Sequence, residues 1–304
     1  MEIMQTRLVK LDIYEKKDLT GISQKCDWFI NGTQLLKLND TEPKTIFLSA
    51  YRGGAGIKHL TTVLLPTIVS RFVLIVASED YTFPAGNGDI RHNEYKDCDV
   101  YINALLESQL VTHIFVENLD IKHIKMTPIP LGLLFADTNM NNPDFYNIDF
   151  LNKTQLCFIR HRTREACGQW RDRAIADHLS KNEWASFVKF IDTEISKEAF
   201  IRELKQSKFC VCIHGGGYDP CPRFFECMLY GVIPIVQHSP LDDMLQKYPV
   251  VFIGDLNADA LSTDFLTAKY EELKEFYEGD KRQEVLASLT LDYWWNIITN
   301  QIQT

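Results

Sequence analysis

The stretch SKFCVCIHGGGYDPCPRFFECMLYGVIPIV, residues 207–236, constrains this chain more than any other. An apolar run ends at His214, and Gly215, Gly216 and Gly217 follow it. A helical segment then opens at Pro222 and stops at Gly231, and a second apolar run begins at once. Runs this apolar suit parallel strands buried on both faces. Proline fits a first helical turn, and glycine fits the residue just past a helix end. The stretch therefore predicts a strand–loop–helix–strand unit.

The same alternation runs through the chain, which predicts an α/β protein with parallel sheets. KTIFLSA, FVLIVAS, HIFVEN and MTPIPLG read as strands of a first half, with helices in 56–70 and 103–109. ADTNMNNPDFYNIDF, residues 136–150, is rich in Asn, Asp and Pro and reads as a linker. Beyond it TQLCFIR, SFVKFID, FCVCIH, VIPIVQ and VVFIG are strands. Residues 163–180 and 197–206 read as helices, and 260–300 is mostly helical. Three segments follow: an N-terminal Rossmann-like domain over 1–140, a C-terminal one over 141–280, and a helix over 281–304 packing back on the first.

Strand, glycine loop and helix N-terminus form a site for an anion, because free amides and the helix dipole point the same way. Arg223 in the first turn would add a charge-assisted bond. Glu226, one turn on, can accept hydrogen bonds from two neighbouring hydroxyls, as on a ribose. Together these suggest a nucleoside diphosphate. Two other readings fit the spacing. The loop is also an ordinary strand-to-helix turn whose glutamate complements the dipole. HGGG also occurs beside the oxyanion hole of lipase-like hydrolases, but the chain carries no G-x-S-x-G elbow.

With HSPLDDML after it, this stretch resembles the C-terminal half of exostosin-like (family 47-type) glycosyltransferases. Ser207–Cys210, Gly215–Gly217, Pro222–Arg223, Glu226, Gly231 and Pro234 carry the resemblance over about 50 residues. It implies the GT-B fold, two Rossmann-like domains facing a central cleft. It implies transfer of a sugar from a nucleotide sugar, most often a UDP-sugar, without an essential metal. On that resemblance Glu226 holds the donor ribose, and Arg223 lies near the donor with Pro222, His214 and the three glycines.

A transferase without a metal needs cations where the leaving diphosphate gains charge. FIRHRTREACGQWRDR offers several arginines after a strand, and Arg160 and Arg162 sit nearest the strand end. An inverting transferase also needs a base for the acceptor hydroxyl. Asp80, with Glu79 and Asp89 behind it, follows the strand FVLIVAS. These acids also suit loop caps. On the acceptor side stand Arg52, Gly53 and Gly54, where SAYRGGAGIKHL repeats the strand–glycine–helix order, and Tyr81 beside the acids that follow FVLIVAS. The glycine spacing there does not match a Rossmann dinucleotide fingerprint, so an NAD-dependent oxidoreductase is a distant alternative. A non-catalytic nucleotide- or carbohydrate-binding protein on the same fold is the nearer one.

Composition narrows the classes further. The chain has 304 residues, 45% hydrophobic and 24% charged, with a net charge of −9. That is ordinary globular content, and it argues against a nucleic-acid partner. The eight cysteines form no CxxC pair, and the eight histidines show no HExxH spacing. No bound metal or tightly held cofactor is expected. The first residues are too charged for a signal peptide, and the longest apolar stretch, 64–77, is broken by Arg71. A soluble cytoplasmic enzyme is expected, with a nucleotide sugar and a saccharide acceptor as partners and no membrane anchor.

Overall fold

The computed structural model describes residues 2–8, 15–87, 94–133, 140–160, 184, 186–191, 193–253 and 261–302. The chain divides into two units. The first comprises Met1–Thr138, Gly216–Asp219 and Thr290–Thr304, and the second Asn139–Gly215 and Pro220–Leu289.

The first unit is built on β1 (Trp28–Asn31), β2 (Gln34–Lys37), β3 (Thr45–Ser49), β4 (Phe72–Ala77), β5 (Val111–Val116) and β6 (Met126–Pro128). They form one sheet in the order β2-β1-β3-β4-β5-β6. Every pair is parallel except β1–β2. β3 and β4 are buried at every residue, as strands covered on both faces must be. Helices α1 (Gly53–His59) and α2 (Asp99–Glu107) supply crossovers. The helix expected over 56–70 starts three residues earlier and passes into a π-helical turn over Leu60–Leu64. The one expected over 103–109 starts at Asp99.

No strand is expected over 28–37, yet β1 and β2 form an antiparallel hairpin there. Asn31 pairs with Gln34, so Gly32 and Thr33 make a two-residue turn. Gly32 takes φ 57° there, the conformation such turns require. Asn31 is paired in β1, so the Asn-Gly dipeptide sits one place too early to be the usual two-residue turn signature.

The second unit contains β7 (Gln155–Ile159), β8 (Val188–Phe190), β9 (Ser207–Cys212), β10 (Ile233–Gln237) and β11 (Val251–Ile253). All are parallel, in the order β11-β10-β9-β7-β8. Between them run α3 (Lys197–Gln206), α4 (Cys221–Leu229) and α5 (Asp242–Leu245). The C-terminal region is helical, with α6 (Thr263–Leu273), α7 (Gly279–Ala287) and α8 (Leu291–Asn300). Ser262 and Thr290 cap α6 and α8, each accepting the amide three residues on. The helix expected over 163–180 lies outside the described residues.

Phe150 anchors the core of the second unit. Its ring lies flat between Tyr270 and Tyr277, with centroids 4.3 and 4.4 Å away. Both phenols are satisfied, Tyr270 by the Phe150 carbonyl and Tyr277 by the Val232 carbonyl. Burying one such ring contributes about 1.5–3 kcal/mol. Two parallel-sheet α/β units with a helical C-terminal region are the architecture that the alternation of strands and helices predicts. Among the described residues no helix is long and apolar enough to cross a membrane.

Candidate active site

In a parallel sheet, binding groups gather at the carboxyl ends of the strands. In the first unit β4 and β5 pair in parallel, so Glu79 and Asp80 after one lie close to Glu117 and Asn118 after the other. Ser78 turns the chain out of β4 with φ 88°, a conformation that non-glycine residues seldom adopt. Its amide donates to Glu117 Oε2 at 2.8 Å.

Arg7 joins these ends. Its Nε donates to Glu117 Oε1 at 2.7 Å, and its Nη2 to Asp80 Oδ1 at 2.5 Å. Glu79 Oε2 lies 3.9 Å from Nη1, and Asp219 Oδ2 lies 3.7 Å from Nη2. Thr6 adds a hydroxyl to Glu117 Oε2 at 2.7 Å. Burial opposes the Arg7 charge, but Glu117, Asp80 and Asp219 outweigh it and hold the guanidinium ionised. Burial drives Glu117 the other way. Its carboxyl is pushed up to about 7, against the opposing pull of Arg7 and of its hydrogen bonds.

Gly216–Asp219 is part of the same unit. Asn118 Oδ1 accepts the amides of Tyr218 and Asp219 at 2.8 and 2.9 Å, and Asn118 Nδ2 donates to Asp219 Oδ2 at 3.2 Å. A Cβ on Gly216 would stand 2.7 Å from Asp80 Oδ2, and one on Gly217 would overlap the Asn118 amide. Two of the three glycines are therefore required by close packing on these side chains. Gly215 stays with the second unit.

Among the described residues, one cation thus faces four carboxylates. The Asp80 side chain is 41% exposed, against 21% for Glu79, 4% for Asp219 and 1% for Glu117. Asp80 is the member that an outside hydroxyl can reach, and the other three fix its guanidinium partner.

In the second unit, α4 follows β9 and the loop after it. The helix starts at Cys221, so Pro222 is its second residue, one place later than the sequence suggested. Cys221 takes φ 60°, and its thiol donates to the Ile213 carbonyl at 2.8 Å. Gly231 ends the helix at φ 63°. Arg223 turns inward. Its Nε and Nη1 are enclosed without a hydrogen-bond partner, and the guanidinium lies over the Phe200 ring. Burial raises the Glu226 carboxyl above its usual range, while the Arg223 charge opposes the rise. His214 is buried. Arg160 donates to the Thr193 carbonyl at 3.4 Å. Arg162 and Asp89 lie outside the described residues.

On the proposed acceptor side, Arg52 precedes α1 at φ 60° with its guanidinium over the Tyr51 ring. Gly53 and Gly54 are buried. A Cβ on Gly53 would overlap the Tyr95 ring, and one on Gly54 the Glu94 carbonyl. The Tyr81 phenol is pushed up to about 12 by burial and by the nearby Glu79 and Glu94.

Sequence reasoning missed Arg7, Glu117, Asn118 and Asp219. The rule that selected Asp80, an acid just past an apolar strand, selects Glu117 after HIFV equally well. Arg7 gives no local signal, because its partners are 73 and 110 residues away.

No protein-family model matches the chain, and no curated protein matches it. Among solved structures, the chain is similar to sucrose-phosphate synthase from Thermosynechococcus elongatus at 12% identity, over 85% of this chain and 73% of that one, with a TM-score of 0.49. It is similar to the lipopolysaccharide outer core galactosyltransferase WaaB at 10% identity, over 86% and 76%, with a TM-score of 0.45. It is also similar to a UDP-forming trehalose-phosphate synthase from Burkholderia xenovorans at 7% identity, over 87% and 74%, with a TM-score of 0.44.

Proposed function

We propose that this chain is an inverting glycosyltransferase of the GT-B type that moves a sugar from a nucleotide sugar to a saccharide hydroxyl. The observation that carries the reading is the arrangement of Asp80: an exposed carboxylate at the carboxyl end of β4, oriented by a buried guanidinium with three further acids. The exostosin-like pattern over 207–236 supports it, since Gly215, Pro222, Arg223 and Glu226 fall at the loop and helix start where a donor would be held.

In this reading Asp80 accepts the proton of the acceptor hydroxyl. The hydroxyl oxygen forms a bond to the anomeric carbon while the bond to the diphosphate oxygen breaks. The leaving nucleoside diphosphate takes that electron pair, and Arg160 and Arg162 offset its charge. Glu226 accepts hydrogen bonds from the donor ribose. Arg223, enclosed beside it, acts through its field and opposes the rise that burial imposes on the Glu226 carboxyl. UDP is the nucleotide that the resemblance favours, and no metal is required by the scheme.

Calorimetric titration of UDP and of GDP into the wild type and Glu226→Ala tests the donor half. One nucleotide should bind, and the variant should lose at least tenfold in affinity. Hydrolysis of the matching UDP- or GDP-sugars by Asp80→Asn tests the other half. Donor binding should persist while turnover falls by the 10²–10⁴-fold typical of a lost general base. Turnover unaffected by Asp80→Asn removes the assignment of the base. Binding without any turnover in the wild type leaves a nucleotide-binding protein instead.

A further inference from the structure

The second unit holds a group of side chains that the transferase reading does not use. Cys210 and Cys212 are two residues apart on β9, so both side chains leave the same face of the strand. Cys227 comes from α4. All three are fully buried, and their sulfurs lie within 4.8 Å of one another. Cys212 Sγ and Cys227 Sγ are 3.9 Å apart.

Ordinary packing of small apolar side chains explains one buried cysteine, as at Cys26. It does not require three sulfurs to converge. An ion bound equally by three thiolates at about 2.3 Å places those sulfurs about 4 Å apart. The observed spacing is already near that value. Charge points the same way. The enclosed Nε and Nη1 of Arg223 have no hydrogen-bond partner, and charge on the cysteines of this group would act on its guanidinium. The Arg223 guanidinium offsets part of the charge of three thiolates, and a divalent ion offsets more of it in a region where unbalanced charge is costly. Sulfur-only ligands select soft ions over magnesium or calcium.

We propose that Cys210, Cys212 and Cys227 form a buried site for one soft divalent cation of the zinc class. Binding replaces three S–H bonds with three metal–sulfur bonds and releases three protons, with no change in oxidation state. The ion ties β9 to the helix that carries Arg223 and Glu226. This departs from the expectation, drawn from cysteine spacing, that the chain holds no metal. The spacing rule seeks ligand pairs close in sequence, whereas here a strand and a helix bring them together.

The test uses the full chain, reduced with a phosphine and titrated with Cd²⁺ and, separately, Zn²⁺. Cd²⁺ should produce a thiolate-to-metal absorption band that saturates at one ion per chain. Zn²⁺ should raise the melting temperature and shield three thiols from a disulfide reagent. Cys210→Ala, Cys212→Ala and Cys227→Ala should each weaken binding at least as much as the roughly 100-fold that loss of an outer-shell partner can cost. Cys26→Ala should not. Far-UV circular dichroism of each variant without metal separates a lost ligand from a lost fold. If Cys227→Ala does not fold, Cys212→Ala gives the same reading from the strand. The proposal is overturned if the folded chain shows no band, if the band survives Cys212→Ala, or if peptide mapping finds Cys212 and Cys227 joined as a disulfide in the isolated protein. None of these outcomes bears on nucleotide binding.

Discussion

Arg7 shows how one residue far from a strand end can govern it. It lies ahead of β1 in the chain, yet it holds Glu117 and Asp80 by short hydrogen bonds. Replacing it with methionine leaves Glu117 and Asp219 buried without their cation. Removing one partner of a buried ion pair costs about 3–5 kcal/mol. Arg7→Met should lower the urea midpoint accordingly, and adding Glu117→Gln should recover part of the loss. A double variant as unstable as the single would remove Arg7 from the role of counter-ion. Gly216 gives a second test at this scale. Alanine there forces a methyl group toward Asp80, and such overpacking costs about 1–3 kcal/mol. Gly216→Ala should lower turnover of the proposed reaction more than it lowers stability, because the displaced atom belongs to the proposed base. The sequence made Asp80 and the glycines legible, since a strand end followed by an acid or by glycines is a local pattern. It hid the reason for the glycines, which is the shape of Asp80 and Asn118, both brought in from far earlier in the chain.

Helix α4 is fixed at its C-terminal end by two buried cations. Arg282 donates to the carbonyls of Met228 and Leu229 at 2.6 and 2.9 Å, and also to Phe145. Lys153 donates to the Tyr230 carbonyl at 3.2 Å and to the Lys205 carbonyl, at the end of α3, at 2.9 Å. Positive charge at a helix C-terminus meets the negative end of the dipole, and these bonds satisfy carbonyls that the helices leave open. Each buried carbonyl left unsatisfied costs about 1–3 kcal/mol. Arg282→Met strips Met228, Leu229 and Phe145 together, so it should destabilise the chain by several kcal/mol in a denaturant titration. Arg282→Lys, which keeps the charge but not the fork of donors, should recover only part. Equal stability of Arg282→Met and the wild type would show that water serves these carbonyls as well as the side chain does. Elements were the level most legible in the sequence. Nine expected strands appear at their places, because unbroken apolar runs leave a parallel strand few alternatives, and Lys197–Gln206 is helical as read. The β1–β2 hairpin is poorly marked in the sequence, because its turn is Gly32-Thr33 and the strands are only four residues long. Arg282 and Lys153 carry no local signal, because a basic residue among polar neighbours in sequence looks solvated until the carbonyls it meets from other elements are known.

Over the whole molecule, two buried groups act on stability in opposite directions around neutral pH. The Glu117 carboxyl, ordinarily near 4.5, is raised by burial to about 7 in the folded chain. Between those values the folded state keeps a proton that the unfolded state has released. Its contribution is full below about 4.5 and is lost as pH rises through 7. The Lys153 ammonium, ordinarily near 10.5, is lowered by burial to about 7. Between 7 and 10.5 the unfolded state keeps a proton that the folded state has released, so this group makes stability increase with pH. Each slope approaches about 1.4 kcal/mol per pH unit where the two states differ by a whole proton. The two slopes meet near pH 7, and together they place a minimum there. The groups belong to different units, so each limb has its own carrier. Urea midpoints measured from pH 5 to 9 should show the dip in the wild type. Glu117→Gln should flatten the acid limb and leave the alkaline one, and Lys153→Met should do the reverse. A wild-type profile that peaks at pH 7, or a variant that flattens the wrong limb, would mean that the shared polar contacts of these groups outweigh their burial.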